Sequence, residues 1–436
     1  MKACVIAAPI TGSGKTTVTI GLLSALKARG FAVQPFKVGP DFIDPGLHEL
    51  ATGVPSHNLD CWMTSEETVQ TLFHHMAHDK DVAIIEGVMG LFDGVSGRSN
   101  AGSTAEMAAL LDVPVILVVD AFAMARSVAA LIHGFKTFDP SVKIAGVILN
   151  RVAGEGHFKI LADAIAEVPI LGWLAKNTEI EIRERHLGLL TGKETEAAER
   201  IAKIRDFFAA HINIDRVLDV IPEMKTLTRT LPRPSTPSST RCRVAIAQDP
   251  AFSFYYQANR DAMVQAGAEI VEFSIIRDAA VPRADFLYIG GGYPELYREA
   301  LEANISMRHS VREFIESGKR FYAECGGLMY LAKAIEGCEM VGVIPTEICL
   351  TDRAIDFGYC EVTTRRPSIL GPAGTHIRGH QFHYSKCSPP SADPIYAVRQ
   401  GERGYGEGFQ FNNGIASYVH LHFLSNPDVA RSVLES

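Results

Sequence analysis

No C-x-x-C pair occurs in the 436 residues, although eight cysteines are scattered along them. That spacing argues against a disulfide framework and suits reduced thiols in a cytosolic compartment. No apolar run reaches the roughly 18 residues that a membrane span needs. The opening "MKACVIAAPITGSGKTT" begins like a signal peptide, but glycines and Lys15 interrupt it at once, so it reads as a first buried strand. A dense basic tract is missing too, and the formal net charge is -8, which argues against a nucleic-acid surface. There is no internal repeat. What remains is an ordinary globular composition, 47% hydrophobic and 21% charged, long enough for two or three domains. A cytoplasmic, multidomain enzyme is the expectation.

Large apolar side chains are nearly absent from one stretch, "KTLTRTLPRPSTPSST", residues 225–240. A Pro/Ser/Thr segment of this kind buries too little surface to fold alone and reads as a linker. Before it, the runs "ACVIAA", "VAIIEG", "PVILVVD" and "KIAGVILN" alternate with helix-like segments such as 15–29 and 104–111. Continuous apolar runs suit parallel strands covered on both faces, so the first domain, 1–224, is predicted as a doubly wound α/β sheet. After the linker, 225–241, the alternation restarts with "RVAIAQ", "ADFLYIGGG" and "KRFYAEC" and becomes strand-rich from about residue 341. This gives a second α/β domain over 242–436.

"AAPITGSGKTT" lies between a predicted strand and a predicted helix, the context of a P-loop. Gly12 and Gly14 let backbone N–H groups turn toward phosphate oxygens, Lys15 supplies charge, and the Thr16 hydroxyl is placed for Mg²⁺. Thr11, Ser13 and Thr17 complete the expected ATP-binding set. The strict G-x-x-x-x-G-K-T form is broken by Pro9 at the first glycine position. Mg²⁺ also needs carboxylates, and Glu86, ending "VAIIEG", and Asp41, in "KVGPDFIDPG", are the favoured ones. Asp44 and Asp93 stand beside Pro or Gly and read equally as turn formers or as ligands. Lys37 shares the Asp41 loop and is the nearest basic group for a substrate carboxylate. Asn150 reads either as an adenine contact or as a turn residue.

The second motif is "FYAECGGLMYLA", residues 321–332. A thiol at a strand-to-helix corner is presented outward, and the helix N-terminus is expected to lower its pKa. Cys325 is the candidate nucleophile. "YIGGGYPE", residues 288–295, offers backbone N–H groups for an oxyanion at Gly291 and Gly292, with Gly326 as a further donor. "SYVHLHF", residues 417–423, offers His420 as base, with His422 two positions on and on the same strand face. A buried structural cysteine is the plain alternative. A zinc site from His380, His383, His420 and His422 is another, disfavoured because no Cys or carboxylate stands at ligand spacing.

"APITGSGKTT", "KVGPDFIDPG" and "EGVMGLFDG" together resemble the ATP-binding domain of cobyrinic acid a,c-diamide synthases. That domain is similar to dethiobiotin synthetase, whose P-loop carries one extra residue, and counting from Ala8 gives this longer spacing. The second domain resembles class I glutamine amidotransferases. Those pair Cys and His with a glutamate two residues after the His, where this chain has His422; the cobalamin branch likewise lacks that glutamate. "RGHQFHYS", residues 378–385, also fits the diamide synthase pattern, with Gln381 where Glu is expected. The resemblance implies that Cys325 releases ammonia from glutamine. ATP, with Mg²⁺, would activate a substrate carboxylate as an acyl phosphate that the ammonia attacks, along a protected path. Asp44 and Asp93 would position the macrocycle or the ammonia. The implied partners are a corrin macrocycle, ATP and glutamine, with no nucleic acid or membrane and a homodimer left open. Hydrogenobyrinic acid or nickel sirohydrochlorin are alternative substrates. Cobyric acid synthase fits less well, since its last-strand pattern differs from "YVHLHF". A nucleotide-switch protein of the partitioning-ATPase kind would explain "GSGKTT" but neither Cys325 nor His420.

Overall fold

The computed structural model describes residues 1–180, 194–225 and 242–435. These form two compact units, one from residues 1–61 and 66–225, the other from 242–435 with the segment Trp62–Ser65. The predicted linker, apart from Lys225, lies outside the described residues.

The first unit follows a strand-helix alternation: β1 (Lys2–Ala7), α1 (Lys15–Ala28), β2 (Val33–Val38), α2 (Ile43–Thr52), β3 (His57–Leu59), α3 (Glu66–Ala77), β4 (Val82–Glu86), α4 (Thr104–Leu111), β5 (Val115–Asp120), α5 (Ser127–Thr137), β6 (Ile144–Val152), α6 (Glu155–Ala164) and β7 (Ile170–Ala175). The strands pair in the order β3-β2-β4-β1-β5-β6-β7, all parallel. The central strands β1, β2 and β4 are buried almost throughout, as strands covered by helices on both faces must be, whereas the edge strand β7 is only partly buried. Strand order reverses around β1, so the crevice beyond its carboxyl end is where such a sheet takes a ligand. Register matters here. Ile6 and Lys37 both sit opposite Glu86, and Asp120 sits opposite Asn150, so polar side chains collect at one sheet edge.

Helix α1 is buried without interruption from Val18 to Leu26. A helix apolar on every side needs cover on every side, and the helix Glu194–His211 contributes Ile201, Ile204 and Phe208 to the same core as α1. Gly21 makes that approach feasible: a Cβ there would come within 2.6 Å of the Phe208 ring.

The second unit carries a six-stranded sheet in the order Ala268–Phe273, Cys242–Ala247, Phe286–Ile289, Arg320–Glu324, Gly414–Ser417, Phe409–Phe411. Every pairing is parallel except the last. A largely antiparallel sheet, built on the long strands Glu347–Thr364 and His376–Ser388, accounts for the strand-rich end of the sequence. The short strand His420–Leu421 joins its edge, with His420 opposite His380.

Gly21→Val should lower the stability of the first unit by roughly 1–3 kcal/mol through overpacking against Phe208. An unchanged thermal melt of the Gly21→Val protein would show that the two helices do not meet as described.

Candidate functional sites

In the first unit a cavity of about 840 Å³ opens at the carboxyl ends of the strands. It is lined by Thr11, Gly12, Gly14, Lys15, Thr16 and Thr17 of the P-loop, and by Lys37, Asp41, Asp44, Glu86 and Asn150. Gly14 adopts φ 93, in the left-handed region that favours glycine. Lys15 donates to the Met89 carbonyl at 2.6 Å. Ser13 turns inward, its hydroxyl donating to the Ile10 carbonyl.

Glu86 is fully buried at the centre of this edge. Its Oε1 accepts from the Thr16 hydroxyl at 2.6 Å and from Lys37 Nζ at 3.3 Å, and its Oε2 bonds His48 Nε2 at 2.7 Å. His48 Nδ1 in turn meets the Ser56 hydroxyl at 3.0 Å. Burial would push the Glu86 carboxyl up, but Lys37, His48 and Thr16 outweigh it and hold the group well below the usual carboxylate range. Burial likewise opposes charge on Lys37, and Asp44, Glu86 and Asp41 overcome it, so the ammonium is held charged. The motif reading missed His48. It stands four residues after Asp44, on the same face of α2, and that spacing was the available signal.

Several of the expected site residues have partners within the protein. Asn150 donates through Nδ2 to the Ser13 carbonyl at 2.9 Å and accepts the Arg151 N–H at 2.9 Å. It pins the P-loop while still lining the cavity, with one amide hydrogen and one oxygen lone pair left over. Lys37 is bonded to Asp44 at 2.5 Å, to Glu86 and to the Gly87 carbonyl, so it neutralises carboxylates of the protein rather than standing ready for a substrate's. Asp41 Oδ1 accepts the N–H groups of Ile43 and Asp44 at the start of α2. Asp93 is not among the cavity-lining residues, and its Oδ2 accepts the Gly90 N–H at 3.1 Å in a turn. A substrate-positioning role for Asp93 is therefore unsupported in this arrangement.

Hard oxygens suited to Mg²⁺ are present in the Thr16 hydroxyl and the carboxylates of Glu86 and Asp41, all on the cavity wall. Among the described residues no three His, Cys, Asp or Glu side chains form a metal cage. Mg²⁺ bound with a nucleotide needs only one or two carboxylates besides phosphate oxygens, so this donor set fits.

In the second unit Cys325 directly follows the strand Arg320–Glu324 and precedes the helix Gly326–Leu331. Its backbone sits at φ 47, ψ -99, a strained corner for a residue with a side chain. The Cys325 N–H donates to the Ser417 carbonyl at 2.7 Å, and the Gly327 N–H to the Gly290 carbonyl at 3.0 Å. A Cβ at Gly327 would strike the Ile289 carbonyl, and one at Gly326 would lie 3.1 Å from the Gly292 nitrogen. The glycine pair thus brings the backbone amides of Gly326 and Gly292 close together beside the thiol.

His420 packs its ring against Gly291, where a side chain would collide with it. Burial and the neighbouring His380 and His383 push its pKa down to about 3, leaving a neutral imidazole able to accept a proton. His422 has other neighbours, its ring lying 4.9 Å from that of Tyr256. His383 stacks on Tyr418 at 3.8 Å, and burial lowers His380 to about 4. The four histidines form no metal-holding group among the described residues. Gln381 is buried and accepts the Tyr405 hydroxyl at 2.5 Å.

The lowered thiol pKa expected at Cys325 is not what the structure gives. Burial, with the charges of Glu295, Glu324 and Glu407, raises it, and the Gly326 N–H compensates only in part. A six-residue helix end cannot outweigh desolvation.

A P-loop sheet and a cysteine-histidine corner on one chain define a nucleotide-binding unit joined to an amidotransferase-type unit. Comparison with known proteins agrees. Residues 4–190 match the CobQ/CobB/MinD/ParA nucleotide binding domain, and residues 243–428 the CobB/CobQ-like glutamine amidotransferase domain. The chain is 43% identical to the cobyrinate a,c-diamide synthase of Listeria innocua, over 98% of each chain. It is 42% identical to that of Dehalococcoides mccartyi, over 99% of this chain and 97% of the relative. With the hydrogenobyrinate a,c-diamide synthase of Streptomyces coelicolor it shares 40% identity, over 99% and 96%. The chain belongs to the a,c-diamide synthase family.

Because only the thiolate is alkylated readily, site-resolved alkylation of Cys325 in the free protein should still accelerate above pH 9. A plateau below pH 8 would mean a preformed thiolate and contradict the burial argument.

Proposed function

We propose that this protein amidates the a and c carboxylates of cobyrinate, using ATP and glutamine. The observation that carries this reading is the presence of both sites on a chain matched end to end by a,c-diamide synthases. Cys325 Sγ attacks the side-chain carbonyl carbon of glutamine while His420 accepts the thiol proton. The oxyanion of the tetrahedral adduct takes the N–H groups of Gly326 and Gly292. His420 returns the proton to the leaving nitrogen, ammonia departs, and water hydrolyses the γ-glutamyl thioester to glutamate.

In the first unit Lys15 and the P-loop amides orient the ATP phosphates, so that a substrate carboxylate oxygen attacks the γ-phosphorus and ADP leaves. Ammonia then adds to the acyl phosphate carbon, and phosphate departs with the C–O bond, leaving the amide. Mg²⁺, held by Thr16 with Glu86 or Asp41, would offset charge on the phosphates. A nucleotide-switch reading leaves the buried Cys325 and His420 without a task.

Cys325→Ser should abolish glutamine-dependent synthesis and leave ammonia-dependent synthesis within about threefold of wild type. Lys15→Ala should remove both, by on the order of 10³-fold or more. Mass measurement of products from cobyrinate and hydrogenobyrinate, with each nitrogen source, reads out both effects. Equal losses with both nitrogen sources in a folded Cys325→Ser protein would sink the division of labour.

A further inference from the structure

Glu324 immediately precedes the nucleophile and has no part in the steps above. It is buried, with 1% of its surface exposed. Its Oε1 accepts the Leu421 N–H at 2.9 Å, the amide directly after His420, and the Tyr322 hydroxyl at 2.8 Å. Its Oε2 accepts the Tyr288 hydroxyl at 2.8 Å and lies 4.0 Å from His420 Nδ1. One carboxyl group thus ties the strand that ends at the thiol to the strand that carries the base.

The geometry points to Glu324 as the carboxylate that positions His420 and supports its protonated form, taking the part that a glutamate two residues beyond the base would otherwise fill. This rests on the reading of Cys325 and His420 as a glutaminase pair. The residue at that later position, His422, faces Tyr256 instead. Three donors to a carboxylate fix its orientation without neutralising it. As His420 takes the thiol proton, the positive imidazolium forms at Coulombic range of a desolvated negative group, where the attraction is least screened.

The groups facing Glu324 are the phenols of Tyr288, Tyr322, Tyr255 and Tyr396, the His420 imidazole and the Cys325 thiol. Burial pushes Glu324 up to about 7. Glu295 and Glu407, whose charges also reach Cys325, are pushed up to about 7 as well. A pH profile of the wild type alone therefore does not identify the group, and the comparison with a variant does.

The test is glutaminase kinetics on the full chain carrying Glu324→Gln. Gln keeps the shape and an acceptor for the Leu421 N–H but removes the charge. The turnover number should fall roughly 10²-fold, while the KM for glutamine stays within about threefold and ammonia-dependent synthesis is unchanged. The wild-type rise in kcat with pH through about 7 should flatten in the variant, because ionisation of Glu324 is what produces it. Glu324→Asp, which retains the charge, should recover at least tenfold over Glu324→Gln and keep the rise. Turnover in Glu324→Gln within threefold of wild type, or an unaltered pH rise, would overturn the assignment. So would Glu324→Asp being no better than Glu324→Gln, and if Glu324→Gln fails to fold, a Glu324→Asp protein without the pH rise overturns it equally. Cys325→Ser is measured alongside. If it retains glutaminase activity, the reading of the site itself has failed, whereas its loss beside an active Glu324→Gln leaves that reading standing and removes only the role of Glu324.

Discussion

The Glu86 carboxylate is fully buried yet kept ionised, because Thr16, Lys37 and His48 surround it at hydrogen-bond distance. The nucleotide edge of the first unit depends on that compensation. A bare buried carboxylate would take up a proton, and a buried lysine would lose one. Pairing them at the register of β2 and β4 preserves both charges on the wall of the cavity. In the second unit desolvation outweighs the compensation. Burial raises the Cys325 thiol and lowers the His420 imidazole, so the resting pair is thiol and neutral imidazole, with the Glu324 carboxyl 4.0 Å from His420 Nδ1. On the proposed mechanism, charge there is created only when substrate arrives, next to the Gly326 and Gly292 N–H groups.

Backbone geometry supports both sites with glycine. Gly14 turns the phosphate loop at positive φ, while Gly326 and Gly327 allow the strained Cys325 corner to close against Ile289 and Gly292. Each corner follows a parallel strand near the middle of its sheet, where neighbours on both sides hold the strand end rigid. Rigid strand ends bearing short glycine turns explain how one chain presents a phosphate loop and a cysteine corner with similar local means.

Strands β1, β4, β5 and β6, the phosphate loop and the cysteine corner were legible because apolar runs and glycine spacing are local signals, whereas β2, with Gln34, Pro35 and Lys37 in its run, lacks that signal. His48 offered only its spacing from Asp44, since its partner Glu86 is thirty-eight residues away in sequence. Lys37 looked available to substrate because sequence does not reveal that Asp44 and Glu86 enclose it. The thiol pKa was misjudged for a related reason. A helix start is visible in sequence, whereas burial beside Glu295 and Glu407 is a property of the packed unit. Glu324 stood in plain view beside the nucleophile, but its bond to Leu421 spans ninety-seven residues.

The most direct test of the account follows the nitrogen itself. Cobyrinate incubated with ATP and glutamine labelled with ¹⁵N at the side-chain amide should yield a diamide carrying two labelled nitrogens, with one ADP and one glutamate formed per amide. Unlabelled product, or label incorporated without matching ADP, would contradict coupling of the two sites in this chain.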